Sequence, residues 1–251
     1  MKFVGIIPAR YASSRFPGKP LADIGGKPMI QRVYEQVSKI LDTVCVATDD
    51  ERIFKVVQDF GGRVYMTSVN HRSGTDRCAE AMTLLPDQDF DVVINIQGDE
   101  PFIETSQIQA LMGCFDSEST QIATLVKPFR PDDSYQTLAN PNSPKVVLDA
   151  EGNALYFSRS VIPYLRHVEP ADYLKRHTFF KHIGIYAYRK DVLSDLARLQ
   201  QTPLEQCESL EQLRWLENGY RIRTAQTLVE NVAVDTPEDL ALCLTELARR
   251  Q

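Results

Sequence analysis

Residues 3–8 read Phe3-Val4-Gly5-Ile6-Ile7-Pro8, a short apolar run closed by proline. Such a run predicts a buried strand. A loop punctuated by Gly and Pro follows, from Ala9 to Lys27, and Pro28 suits the first turn of a helix running to about Ile40. Residues 43–48 (TVCVAT) predict a second strand. Asp49 and Asp50 can cap a helix to about Phe60, which Gly61-Gly62 stops. A third strand is expected at 63–66 (RVYM). Thr75 or Asp76 can cap a helix to about Leu85. Another apolar strand is expected at 91–97 (DVVINIQ), then a helix over 106–115. Strand alternating with helix implies a parallel sheet covered by helices on both faces. Continuous apolar strands fit a sheet buried on both sides.

The pattern changes near residue 120. Strands are expected at 122–127, 145–149, 154–157 and 183–188, with Pro-rich loops at 128–144 and 163–170. Helices are expected at 190–200, 205–217 and 237–250, and a strand at 221–227. No repeat or low-complexity linker divides the chain. One α/β domain spanning 1–251 is expected, with a mixed second half.

The 251 residues carry 28 Lys+Arg and 34 Asp+Glu, a net charge of −6, which argues against non-specific nucleic-acid binding. The charge is uneven. Residues 1–22 hold Lys2, Arg10, Arg15 and Lys19 and no acid, a local +4, leaving −10 on the rest. A small anionic partner at that end would account for it, as would chance clustering of solvated cations. No apolar run approaches the roughly 20 residues of a membrane helix. The apolar start is too short for a signal peptide, so no membrane insertion and a cytoplasmic location are expected. Cys45, Cys78, Cys114, Cys207 and Cys243 are scattered and odd in number, with no CxxC pair. They read as inert thiols.

Ligands of an open parallel sheet bind at the carboxyl ends of its strands. Three candidates fall there. The loop from Pro8 to Leu21 offers Arg10, Arg15, Lys19, the hydroxyls of Ser13 and Ser14, and backbone N–H groups. It matches neither GxxxxGK[ST] nor GxGxxG. Its cations suit a polyphosphate, Arg by bidentate bonds and Lys as a mobile point charge. Asp99, in Gln97-Gly98-Asp99-Glu100-Pro101, is placed to hold Mg²⁺; it also reads as a turn or capping aspartate. Asp235 reads locally as part of the cap of the last helix; if it meets Asp99, the pair makes a metal site. His71-Arg72-Ser73-Gly74-Thr75-Asp76-Arg77 is a polar turn feeding a helix, able to present N–H groups and hydroxyls to a ligand. His177 and His182 are weak zinc candidates. No GxSxG elbow supports a hydrolase.

PARYASSRFPGKPLADIGGKPMI, HRSGTDR, NIQGDEPFI, KVVLDAEGNALYFSRSVIP, HIGIYAYR, LEQLRWLENGYRI and VDTPEDL together resemble the bacterial 3-deoxy-manno-octulosonate (Kdo) cytidylyltransferases. The resemblance covers about residues 2–243. It implies a Rossmann-like nucleotidyltransferase fold working as a homodimer. Residues 1–120 would form the nucleotide-binding half, and 121–251 the sugar-binding and dimerisation half. The implied reaction is CTP plus Kdo giving CMP-Kdo and diphosphate, with Mg²⁺, as activation for lipopolysaccharide assembly. Arg10, Arg15 and Lys19 would meet the CTP phosphates, Ser13 would also bind the nucleotide, and Lys19, Arg15, Asp99 and Asp235 would be catalytic. Ser73, Thr75, Arg77, Gln97 and backbone near Pro8 would surround the cytidine. Asp99 and Asp235 would hold Mg²⁺. Arg159, His182, Tyr186, Glu211 and Gln212 would line the Kdo site. Two departures stand out: Ala187 where the family has Gly, and ENVAV before Asp235 where a glycine is expected. Alternatives are a cytidylyltransferase for 8-amino-Kdo or sialic acid, and a non-catalytic CTP-binding protein on the same fold. A glycosyltransferase is disfavoured because Gly98-Asp99-Glu100 is no DxD motif.

Overall fold

The structure, a computed structural model, describes residues 1–12, 16–229 and 233–250. In chain order the elements are β1 (Phe3–Ala9), α1 (Met29–Val37), β2 (Val44–Thr48), α2 (Glu51–Asp59), β3 (Val64–Met66), α3 (Gly74–Leu84), β4 (Val92–Asn95), α4 (Thr105–Gly113), β5 (Ile122–Pro128), α5 (Tyr135–Ala139), β6 (Lys145–Leu148), β7 (Ala154–Ser158), α6 (Tyr173–Arg176), β8 (Phe180–Arg189), α7 (Lys190–Leu196), α8 (Pro203–Glu208), α9 (Gln212–Glu217), β9 (Ile222–Gln226) and α10 (Pro237–Arg250). They form two compact units. One comprises Met1–Gln109, Ala187–Ala197 and the described residues of Asn231–Gln251; the other comprises Ala110–Tyr186 and the described residues of Arg198–Glu230.

In the first unit β3, β2, β1 and β4 lie side by side, all parallel. Gly5 of β1 faces Val44 on one side and Ile94 on the other. Val4, Ile6 and Ile7 are fully buried, as are Cys45, Val46 and Ala47. Period-2 alternation sends successive side chains to opposite faces. A β-carbon on Gly5 would lie 2.9 Å from Leu41 and 3.1 Å from Val37, so that face of β1 packs against the end of α1. Pro8, on the other face, is 3.3 Å from where a β-carbon of Gly74 would stand, at the start of α3. Helices therefore cover both faces here.

The helices follow from their sequences. Buried Ile30, Val33 and Val37 fall at i, i+3 and i+7 on α1, and buried Ile53 and Val57 at i and i+4 on α2. Asp50 caps α2, its side chain accepting from Arg52 N–H. The cap of α3 is Ser73, whose hydroxyl oxygen accepts from Asp76 N–H at 3.1 Å, rather than Thr75 or Asp76. Only Ser73 stands one residue outside the helix, where a side-chain oxygen reaches an orphan N–H. The last helix is docked by a cluster in which Ile24, Met29, Phe102, Val234 and Cys243 are buried.

In the second unit β5 runs parallel to β9, and β6 pairs antiparallel with both β7 and β8. The helix expected at 205–217 is two, α8 and α9, because Ser209 takes a left-handed conformation at φ 51°. The expected 128–144 loop contains α5, capped by Ser134 accepting from Thr137 N–H. The class is α/β, mostly parallel with antiparallel strands in the second half, as expected. None of the five cysteines, all among the described residues, is in a disulfide. Burial raises the Cys45 thiol to about 12 and Cys114 to about 11, which keeps both in the thiol form.

Candidate functional site

The carboxyl ends of β1 and β4 open onto a cavity of about 320 Å³ in the first unit. Pro8, Arg10, Lys19, Ser73, Arg77, Gln97, Asp99 and Asp235 all line it. Ser13 and Arg15 lie outside the described residues. Thr75 is 2% exposed, buried in the first turn of α3, and does not line the cavity.

Three cavity residues come from far-apart segments and converge on one ammonium. Lys19 Nζ donates to Asp99 Oδ2 at 2.6 Å and to Asp235 Oδ1 at 3.0 Å. Lys19 is presented by a short 3-10 turn, Lys19–Leu21, entered through Gly18 at φ 72°, a conformation that favours glycine. Asp99 follows Gly98, whose missing side chain matters: a β-carbon there would lie 3.0 Å from the Pro8 carbonyl oxygen. Asp235 is aligned by backbone, since Val234 N–H donates to the Asp99 carbonyl at 3.0 Å.

The local ambiguity over Asp235 resolves in its neighbours. Thr236 Oγ1 accepts from Asp239 N–H at 3.2 Å, and Asp239 Oδ2 accepts from Thr236 N–H at 2.9 Å. That is a reciprocal capping box with Pro237 in the first helical position. Thr236 and Asp239 serve the helix start, which leaves the Asp235 carboxylate to face Lys19.

Arg77 is held rather than free to swing. Its guanidinium donates to Thr67 Oγ1 at 2.6 Å and to Asp49 Oδ2 at 2.7 Å, and its side chain is 5% exposed. His71 and Arg72, not singled out individually from the sequence, also line the cavity. His71 Nε2 is hydrogen-bonded to Glu80, which accepts from Ser68 N–H as well and is held below the usual carboxylate range although burial opposes this. The legible signal was the polar turn as a whole; the Glu80 partner, a turn and a half along α3, was not.

The five residues expected around a sugar acid lie in the second unit. Arg159 is clamped: Nε donates to the Glu208 carbonyl at 2.6 Å, Nη1 to Pro141 at 2.9 Å and Nη2 to Ser209 at 3.2 Å. A guanidinium has five N–H donors, so two remain for another acceptor. His182 is buried and its Nε2 lies 3.0 Å from Thr124 Oγ1. Burial drives its pKa down to about 3, so the ring is neutral at physiological pH. Tyr186 packs between His182 and Trp215, at ring separations of 5.3 Å and 4.9 Å. Glu211 lies 3.9 Å from Arg214. Gln212 is 5% exposed, and its buried Nε2 has no hydrogen-bond partner among the described residues. An orphaned buried donor is uncommon and points to a water or ligand acceptor.

Sequence reading missed three buried charges here. Lys145 is fully buried on β6, donating to the carbonyls of Asn140 at 3.0 Å and Arg159 at 2.6 Å, and burial lowers its pKa. Arg214 makes a two-pronged pair with Glu205, at 2.8 Å and 2.6 Å. A second cavity of about 480 Å³ near Cys114, Arg221 and Arg223 contains none of the expected site residues. It adjoins the amino ends of β5 and β9, the end of parallel strands opposite to the one where ligands bind.

The family described as "Cytidylyltransferase" matches residues 4–222. A 3-deoxy-manno-octulosonate cytidylyltransferase of Phocaeicola vulgatus is 62% identical over 251 residues, covering 100% of this chain and 99% of that protein. The one of Geobacter metallireducens is 48% identical, covering 100% of both. A solved structure of CMP:2-keto-3-deoxy-manno-octonic acid synthetase complexed with CTP superposes with a TM-score of 0.90 at 44% identity, covering 100% of both chains. A 4-diphosphocytidyl-2C-methyl-D-erythritol synthase shares the fold alone, with a TM-score of 0.61 at 15% identity over 99% of each chain. The chain belongs to the 3-deoxy-manno-octulosonate cytidylyltransferases, within the cytidylyltransferase family.

Proposed function

We propose that the protein transfers CMP from CTP to the anomeric hydroxyl of Kdo, releasing diphosphate. The observation that carries this reading at the level of residues is the convergence of Lys19, Asp99 and Asp235 at the carboxyl ends of β1 and β4. Triphosphate chemistry needs cations for the phosphates and carboxylates for a metal, and both are present in one cavity.

The reaction displaces diphosphate from the α-phosphorus by a sugar oxygen, and needs no protein nucleophile. Catalysis is then positioning and charge neutralisation. Arg10 and Lys19 bind the triphosphate, with Ser13 and Arg15 of the same loop. Lys19 neutralises charge growing on the α-phosphate. Gln97, Ser73, Arg77 and the backbone at Pro8 frame the cytidine, and buried Thr75 supports the first turn of α3 beneath it. Arg159, through its two remaining N–H groups, takes the sugar carboxylate, while Tyr186, His182, Glu211 and Gln212 position its hydroxyls.

The donor set fits a divalent ion. Two hard carboxylates converge on a single cation, with the partial exposure that a hydrated ion requires, and Mg²⁺ is held by one or two carboxylates plus substrate phosphate oxygens. Asp99 and Asp235 would hold Mg²⁺. When bound, such an ion supplies Lewis-acid activation of an oxygen and charge neutralisation.

Among the described residues no helix is long and apolar enough to cross a membrane. Cytoplasmic location, homodimeric assembly and a role in lipopolysaccharide biosynthesis belong to the same proposal. So does the division of labour between a nucleotide-binding half (1–120) and a sugar-binding and dimerisation half (121–251), from which Asp235 returns to line the cavity of the first unit. The test is diphosphate release from each nucleoside triphosphate against Kdo, 8-amino-Kdo and sialic acid. Release is expected with CTP plus Kdo; none with that pair overturns the reading.

A further inference from the structure

We infer that Lys19 is a stand-in cation at the carboxylate pair, so that a divalent ion gains the site only as the nucleotide draws the lysine away. The inference rests on the reading of Asp99 and Asp235 as the metal-holding pair. Lys19 Nζ lies within hydrogen-bond distance of one oxygen of each carboxylate. Mg²⁺ takes such oxygens at about 2.1 Å. An ion bridging the same two oxygens would have to occupy the space of the ammonium. The two cations are therefore exclusive.

The mechanical parts of an exchange are in place. The Lys19 backbone is anchored: Leu21 N–H donates to the Gly18 carbonyl at 2.8 Å, Ala22 N–H donates to the Lys19 carbonyl at 3.0 Å, and Pro20 between them is buried. Only the four-carbon stem and its point charge need move. Arg10 and Arg72 line the same cavity, so a triphosphate drawn in by them brings oxygens that compete for the ammonium. Transfer of Lys19 to a phosphate changes the carboxylate pair and its counter-ion from a net −1 to an uncompensated −2. Metal and nucleotide binding are then coupled, and the coupling is reciprocal.

The test uses Mn²⁺ as the probe, with the signal of the free ion read by electron paramagnetic resonance on the full chain. Without nucleotide, wild type is expected to bind Mn²⁺ weakly. Lys19→Met is expected to bind it about tenfold more tightly, the gain from removing an occupant present about nine-tenths of the time. Lys19→Gln, a polar second variant, is expected to do likewise, and Lys19→Arg to stay near wild type. A non-hydrolysable CTP analogue, after subtraction of its own Mn²⁺ complex, should raise affinity more in wild type than in Lys19→Met. Unchanged affinity in both Lys19→Met and Lys19→Gln overturns the inference. Asp99→Asn in the presence of the analogue separates the two levels. If it weakens Mn²⁺ binding while the lysine variants do nothing, the metal reading stands and the stand-in role fails. If it has no effect, the metal reading fails and the inference with it.

Discussion

Val234 N–H donates to the Asp99 carbonyl at 3.0 Å. One backbone bond thus ties the residue before Asp235 to the other carboxylate of the site. Val234 is itself fully buried in the cluster that docks the last helix. The spacing of the two carboxylates is therefore set by core packing at the far end of the chain, and not by either aspartate alone.

Asp99→Asn and Asp235→Asn should each abolish Mg²⁺-dependent turnover. Each substitution removes one of two charges from the pair while preserving its size. The expected loss in kcat is about a hundredfold or more, equivalent to roughly 3 kcal/mol or more of barrier. Diphosphate release measured across a Mg²⁺ titration checks this. Normal Mg²⁺ dependence in either variant would sink the shared site.

Lys19→Ala should lower kcat by about a hundred- to a thousandfold, the scale of losing one preorganised group that meets transition-state charge. The fold should survive, because the turn that carries Lys19 is anchored through backbone bonds and the buried Pro20. Steady-state kinetics with a parallel thermal melt separates the two effects. Wild-type turnover contradicts the assigned role.

Gly98→Ala should harm the site through geometry. The added carbon would stand 3.0 Å from the Pro8 carbonyl oxygen, and that neighbour is backbone, not a flexible chain end. Overpacking of this kind costs about 1–3 kcal/mol. Urea unfolding should detect it, and KM for CTP should rise as Pro8 and Asp99 are pushed apart. An unchanged KM would mean that the close approach has no bearing on nucleotide binding.

The alternation of apolar runs and capped helices made the first unit legible, because a parallel sheet buried on both faces leaves a continuous apolar signature in each strand. The basic loop and Asp99 were legible for the same reason: both follow directly on such strands. Asp235 was not legible from spacing, since its partner is distant in sequence and its own neighbourhood reads as a helix start. The break between α8 and α9 was hidden because Ser209 takes a positive φ that glycine or asparagine would have announced. Lys145 and the Glu205–Arg214 pair were invisible because a buried charge is identified by its partners, which only tertiary structure supplies.

His182 should make stability pH-dependent below neutrality. Its folded pKa is depressed by burial from an ordinary 6.5 to about 3, so the unfolded chain binds a proton there first as pH falls. The stability tied to the neutral ring is fully present above about pH 6.5 and is lost progressively as pH drops from 6.5 toward 3. Within that window the slope from this one group is at most about 1.4 kcal/mol per pH unit. His182→Gln, which keeps a polar atom near Thr124 Oγ1 but does not titrate, should be less stable at pH 7 and lose less between pH 6.5 and 5. Urea midpoints of both proteins across that range provide the measurement. Parallel curves would show that the ring gains its proton without cost, and that its burial next to Phe157 and Tyr186 does not hold it neutral.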